Sequence, residues 1–280
     1  MKKIKLLFSL FFGIILFVSC VPEVDEYGNL LHGVGNGTIP GGSGSGGTGA
    51  TGKRIASYVE KDLSTNKTNT FTFTYDGNLL KAISDSNNTT DVEVIYDNGK
   101  IISISSVNKN TTSIYTLQYK NNSLESISGV INDSGAITLA NTELTYSGSK
   151  ISKAITKYSD NGTLTDIIEN TYKFTGNNLS DFNFLYKDDS GNQILNFGLQ
   201  FLSFDNKKNP FTAFPKELIY TLQKEWLQDY YIMGLCENNT TALKAYGDAS
   251  GGGKVNYTYD SDGYPLTLTS PDIEITFTYK

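Results

Sequence analysis

Two carboxylates at a suitable separation can hydrolyse a glycosidic bond, one acting as acid and the other as base or nucleophile. The chain offers three such pairs close in sequence: Asp188 with Asp189, Asp260 with Asp262, and Glu225 with Asp229. The first two sit in Asp-Asp-Ser-Gly-Asn and Asp-Ser-Asp-Gly strings, which are also what tight hairpin turns are made of. Other chemistry is closed off. The single histidine, His32, lies in a glycine-rich stretch, so the folded part can build neither a Ser-His-Asp device nor a multi-His zinc site. Cys236 has no histidine base near it and reads as an inert thiol. Asp260-Ser261-Asp262-Gly263 begins like a calcium loop but lacks the third ligand and the closing glutamate. Gly47 to Lys53 follows a P-loop until Arg54 stands where Ser or Thr would hold magnesium, and no apolar strand precedes it. No catalytic residue, metal or cofactor is expected, and the chain does not read as an enzyme. Trp226, Tyr230 and Tyr231 are the candidate ligand-binding residues: turned outward, flat aromatics near acids could stack a sugar ring. On the buried face of an amphipathic helix the same residues would be core.

The elements that must position these residues repeat. Six times an alternating stretch runs up to an aromatic, turns on Asn, Asp, Ser or Gly, and restarts with an aliphatic. The copies begin at Tyr75, Tyr96, Tyr119, Tyr146, Phe174 and Tyr259. Counting back in twos from each marker gives one apolar face, such as Phe71, Phe73 and Tyr75, or Tyr115, Leu117 and Tyr119. The residues between are largely Thr, with Glu93, Gln118 and Glu143, which is strand patterning with one buried and one wet face. A period of 20 to 30 residues marks a hairpin array in which each unit needs its neighbours. The expected fold is mainly β, a long antiparallel meander of about 12 to 15 strands rolled into a barrel or half-barrel. One inserted amphipathic helix breaks it. Pro215 opens a run in which Leu218, Ile219, Leu222, Trp226 and Tyr230 form a stripe over about residues 215–231. That insertion spans about residues 205–250, and its polar end, 238–253, leads to the last hairpin.

The N-terminus supplies an address. Lys2, Lys3 and Lys5 precede an apolar run from Leu6 to Val18, too short to span a bilayer and suited to a signal peptide. Phe17-Val18-Ser19-Cys20 resembles a bacterial lipobox, with Phe17 in place of the usual Leu; the resemblance implies removal of residues 1–19 and lipidation of Cys20. Residues 20–52 then form a tether, with ten glycines between Gly33 and Gly52, and the folded part is expected over residues 53–280. Losing three lysines leaves 20 basic against 29 acidic residues, a charge of −9. Such an average excludes nucleic acid as a partner and argues against attraction to anionic lipid headgroups. The lipid on Cys20 is then what joins the chain to a membrane. Val21, rather than Asp, after that cysteine implies the outer membrane by the same resemblance. With Cys20 lipidated, no intramolecular disulfide is possible.

The Tyr-Asp-x-x-Gly phrasing resembles the YD repeats of large secreted shell proteins. It is more similar to a family of Bacteroidota lipoproteins of unassigned function with a porin-like β fold. There, repeats of this kind surround an Asn-Pro-Phe segment like Asn209-Pro210-Phe211 and end in a hairpin like Tyr259 to Tyr264. The resemblance covers residues 53–280 and the N-terminus; it implies a rolled antiparallel sheet at the cell surface or in the periplasm, and no catalytic residues. Three functions follow as expectations. The first is an outer-membrane lipoprotein that binds a glycan or envelope protein, or acts as a scaffold. The second is an integral outer-membrane barrel, against which the ascents of about seven residues weigh. The third is a two-carboxylate glycan hydrolase.

Overall fold

The computed structural model describes residues 52–87, 90–222, 232–248 and 250–280. Among them run seventeen antiparallel strands, nearly all paired with their neighbours in chain order. These are β1 (Ile55–Asp62), β2 (Thr68–Asp76), β3 (Leu79–Asp85), β4 (Thr90–Asp97), β5 (Lys100–Asn108), β6 (Thr111–Lys120), β7 (Ser123–Asp133), β8 (Ala136–Ser147) and β9 (Lys150–Asp160). They continue as β10 (Thr163–Thr175), β11 (Asn178–Asp188), β12 (Gln193–Phe204), β13 (Thr240–Gly247), β14 (Gly251–Lys254), β15 (Asn256–Tyr259), β16 (Pro265–Thr269) and β17 (Ile273–Tyr279). Pairing of β17 with β1 closes the meander into a nearly complete barrel. One step remains at buried Val255, where β14 pairs with β13 while β15, its direct continuation, pairs with β16.

The alternation decides which way each residue faces. Phe71, Phe73, Val92, Val94, Tyr115 and Leu117 point inward and are buried, while Thr72, Thr74, Glu93, Thr116 and Gln118 face solvent. The turns use residues that accept positive φ: Asn98 and Gly99 stand at 49° and 77° between β4 and β5. In all six hairpins that carry the repeat, the register shifts at the step into the marker aromatic, as between Gln118 and Tyr119 or between Thr258 and Tyr259. The bulge absorbs one residue of the descending strand. The marker aromatic and the aliphatic after the turn can therefore both face inward. Two absorbed residues are Ile102 and Leu266, which is why these aliphatics are exposed.

The bulge also interrupts the ladder, and the repeat supplies a substitute donor. The Tyr96 hydroxyl donates to the Leu80 carbonyl (3.0 Å), Tyr119 to Ile101 (2.9 Å) and Tyr146 to Leu124 (2.9 Å). Tyr75 reaches Ile55 (3.1 Å) and Tyr279 reaches Pro265 (2.6 Å) in the same way. The units marked by Tyr96, Tyr119 and Tyr146 are thus each tied to the one before by the marker hydroxyl, whereas Phe174 has none and Tyr259 turns its own to Asp205. Tyr119→Phe removes one such bond and keeps the ring; chemical denaturation should show a loss of about 0.5–1.5 kcal/mol. No loss would mean that the carbonyl is served equally well by water.

The sheet differs from its expected form in three ways. Seventeen strands appear rather than 12 to 15, because the segment read as a polar connection after Asn238 contains β13 and β14. Glycines 251–253 carry no side-chain pattern, so β14 is silent in the sequence. Strands β7 to β12 have 11 to 13 residues, well beyond the expected seven, while β1, β3, β4 and β13 to β17 have four to eight. The helix α1 is described over Lys216–Leu222, with Leu218, Ile219 and Leu222 buried as the stripe predicts; the rest of the expected helix lies outside the described residues.

Candidate functional site: the plugged rim

All six marker turns lie at one end of the barrel, the rim, and both the insertion and the segment preceding β1 join there. The insertion between β12 and β13 turns into the lumen. Its first tight helical turn, Pro210–Ala213, is capped by buried Asn209, whose Oδ1 accepts from the Phe211 amide (2.9 Å). The Asn209 Nδ2 donates to the carbonyls of Met233 and Cys236, both at 3.0 Å, joining this turn to a second one at Ile232–Leu235. Phe211 meets Tyr58 and Phe277 edge-on, at 6.3 and 5.7 Å between ring centres. Phe214 stacks on Phe73 at 5.2 Å, and Tyr220 of α1 meets Tyr172 at 6.3 Å. These aromatics come from strands around the wall, so the insertion is a plug built into the core. Asp205 clasps its neck, accepting from the amide of Asn239 (2.9 Å), from its Nδ2 (3.0 Å) and from the Tyr259 hydroxyl. That bond and burial together push the Tyr259 hydroxyl well above the usual tyrosine range, burial being the larger cause.

Cations cover four of the six marker aromatics, Tyr75, Tyr119, Phe174 and Tyr259. Arg54 lies over Tyr75 (4.9 Å), Lys100 over Tyr119 (5.1 Å) and Lys150 over Phe174 (5.5 Å). Each of these cations directly precedes an inward aliphatic, and its ring belongs to the marker of the next unit on the wall. Tyr264 occupies the same place before Pro265 and packs on Tyr279 at 5.4 Å. Lys280 adds a second cation over Tyr75 at 4.4 Å, and Lys208 lies over Tyr264 at 4.5 Å. The pairs Lys100-Ile101 and Lys150-Ile151 stand in the open in the sequence; they pass for turn filler until the register shows what the cation covers.

The two acid pairs among the described residues are engaged by neighbouring groups. Asp188 lies in the turn between β11 and β12, at the end opposite the rim, where it accepts from the amide (2.7 Å) and side chain (2.9 Å) of Asn192. Those bonds hold its carboxyl below the usual range. Asp189 is exposed beside it. Asp260 and Asp262 are at the rim, bound to Lys53 at 2.7 and 2.6 Å. Asp260 also accepts from the amides of Asp262 and Tyr264, both at 2.9 Å. Its carboxyl is held low first by Lys53. An ammonium group and the turn's own amides thus use the oxygens that a calcium loop would offer, and among the described residues no cluster of three or more potential ligands occurs. Cys236 is buried and accepts from the Leu179 amide (3.3 Å). Glu225, Asp229, Trp226, Tyr230, Tyr231 and Cys20 lie outside the described residues.

A nearly closed antiparallel barrel of this strand number is porin-like in class. It is similar to the crystal structure of a porin-like protein from Bacteroides vulgatus, with a TM-score of 0.56 and 10% identity over 82% of this chain and 99% of that one. A porin-like protein from Bacteroides uniformis is similar at a TM-score of 0.49 and 12% identity, over 81% and 98% of the two chains. At such identities the likeness is one of fold. No protein-family model and no curated protein matches the chain.

Proposed function

We propose that this chain is a porin-like barrel of the outer membrane that does not conduct, held at the bilayer by lipid on Cys20 with its barrel in water. The observation that carries the reading is the direction of the strands' apolar faces, which point inward onto the plug. A conducting barrel needs a water-filled lumen, and a spanning one needs an apolar band about 25 Å tall on its outside. Here the outer wall carries exposed Thr72, Thr74, Glu93, Gln118 and Glu143. It also carries Glu169 bridged between Lys153 and Lys187. The porin-like neighbours favour an outer-membrane barrel over a free-standing glycan-binding module. They supply no ligand.

The integral barrel is the second reading. It is favoured by those neighbours, by the long strands β7 to β12, and by exposed Ile114, Val130 and Leu139, which lie side by side across β6, β7 and β8. One preparation separates the two: residues 20–280 with Cys20→Ser, purified without detergent and then offered to a planar bilayer. The water-facing barrel stays monodisperse and gives no conductance steps. Dependence on detergent, or stepwise conductance, would establish the integral barrel instead.

A further inference from the structure

The outer wall is not uniform. Among the described residues eleven large aliphatics are exposed, and seven of them stand on the consecutive strands β4 to β8. Ile114, Val130 and Leu139 lie side by side across β6, β7 and β8, in the set of positions that alternation turns to water. Val107 and Ile137 flank them one row further from the rim. Ile114 leaves 57% of its surface exposed and Val130 leaves 47%. In both rows, and in the next row toward the rim, the outward positions of β5 to β8 carry no charge. The wall around the seam is different. Thr72, Thr258, Thr276 and Thr278 face outward there, with Val59 and Leu266 as single aliphatics.

A bilayer does not match this face. Lipid surrounds a barrel on every side and needs an apolar band about 25 Å tall. Here two rows about 7 Å apart carry the patch on one side only. Ser103, Thr116, Ser128 and Asn141 end it toward the rim. A protein surface covers such a patch from one direction, and a charge-free aliphatic centre is what an interface requires. The border points to the partner. Asp91 and Glu93 end the two rows on β4, and Lys157 stands on β9 beside Asn141, all three exposed. We infer that this face pairs with the same face of a second copy, about a twofold axis running along β6 and β7. That axis sets the β4 edge of each copy against the β9 edge of the other, so acids meet the lysine twice. The other charges nearby are Glu143 on β8 and, in the turns at the far end, Lys109, Asp133 and Asp160, the two aspartates bonding Thr111 and Thr138. Taken together the face is acidic, so the apolar centre supplies the attraction and the edges set the register. The face covers ~24 Å across five strand spacings and ~20 Å along them, about 1,000 Å² over both copies, the lower limit for a specific interface. The pair is therefore weak in free solution. The inference rests on the water-facing reading and adds a partner to it.

Sedimentation equilibrium of residues 20–280 with Cys20→Ser, without detergent and from about 5 to 500 µM, reads the association directly. The parent should pass from monomer to dimer within that range and stop there, since a twofold contact is closed. Association should hold or strengthen as salt rises from about 50 to 500 mM, because screening lifts the net repulsion and leaves the apolar contact. Val130→Glu, at the centre, should stay monomeric throughout. Thr72→Glu adds the same charge to the far wall and should dimerise as the parent does. Should Val130→Glu fail to fold by circular dichroism, Ile114→Asn gives a loss of at least about tenfold. Lys157→Glu should weaken the pair several-fold, and the double variant Glu93→Lys/Lys157→Glu should recover it. A monomer at every concentration, growth past two copies, or loss from Thr72→Glu equal to that from Val130→Glu would each overturn the inference and leave the water-facing barrel standing. A parent that needs detergent to stay dispersed overturns both, and returns the face to lipid.

Discussion

Phe211→Ala should be the most damaging single truncation in the plug, lowering stability by about 3–5 kcal/mol. The ring is almost completely buried and touches Tyr58, Phe277 and Phe214, which come from β1, β17 and the plug itself. Tyr58 in turn packs against Phe71 and Phe73 of β2, at 4.8 and 5.6 Å. Removing Phe211 therefore opens a cavity at the place where the barrel closes on itself. Neighbours bound to two walls and a plug have little freedom to fill it. Thermal unfolding followed by circular dichroism should show a fall in Tm of roughly 10 °C for a domain of this size. Phe211→Leu, which keeps most of the volume, should lose less than half as much. A change under about 1 kcal/mol for the alanine variant would mean that the plug is dispensable to the core.

Asn209→Ala should come second, at about 3 kcal/mol, since it takes a hydrogen bond from three buried backbone groups at once, of which only the Met233 carbonyl keeps another donor, the Cys236 amide. The Phe211 amide loses its acceptor, and the Met233 and Cys236 carbonyls lose a shared donor. The Asn209→Asp variant sharpens the point. It keeps the acceptor but sets a carboxylate against two carbonyls, so its folded-state pKa must lie above the unfolded value. The proton it binds on folding makes the variant most stable below the unfolded carboxylate pKa. Stability is then lost as pH rises through the raised folded pKa. Urea midpoints of the parent and the aspartate variant should therefore diverge as pH rises from about 4 to 7. Parallel curves would show that the Asn209 amide does not serve those carbonyls.

The sheet was readable because period-two alternation is enforced on every strand that has one wet face and one buried face. Phe71, Phe73, Tyr115 and Leu117 could lie on no other side. The bulges were hidden, since a bulge depends on pairing, and one extra residue between Ile101 and Ile104 leaves no compositional mark. The hydroxyl ladder and the cations over Tyr75, Tyr119 and Phe174 were hidden for the same reason. Both join residues about twenty positions apart, and both need the register before they mean anything. Closure was not legible either: nothing in Ile55–Asp62 says that its second neighbour is Ile273–Tyr279. At the candidate site, Asn209-Pro210-Phe211 was visible as a motif, while its work as a plug depends on Met233 and Cys236, more than twenty residues downstream. The acid pairs admit two readings in the sequence because a turn and a catalytic dyad use the same residue types. The contacts of Asp188 with Asn192 and of Asp260 with Lys53 appear only in the fold.

The junction of β1 with β17 also bears on how such a molecule comes into being. Each hairpin can form as soon as its own two strands exist, because its contacts are local. The first strand, however, must wait for the last one, made more than two hundred residues later, before its second side is covered. Loop-closure entropy makes such a non-local pairing slow, and an uncovered strand invites a wrong partner meanwhile. For this architecture the final seam is the step at which a chaperone's protection matters most, and a chain truncated before β17 forfeits the ring while keeping nearly every hairpin.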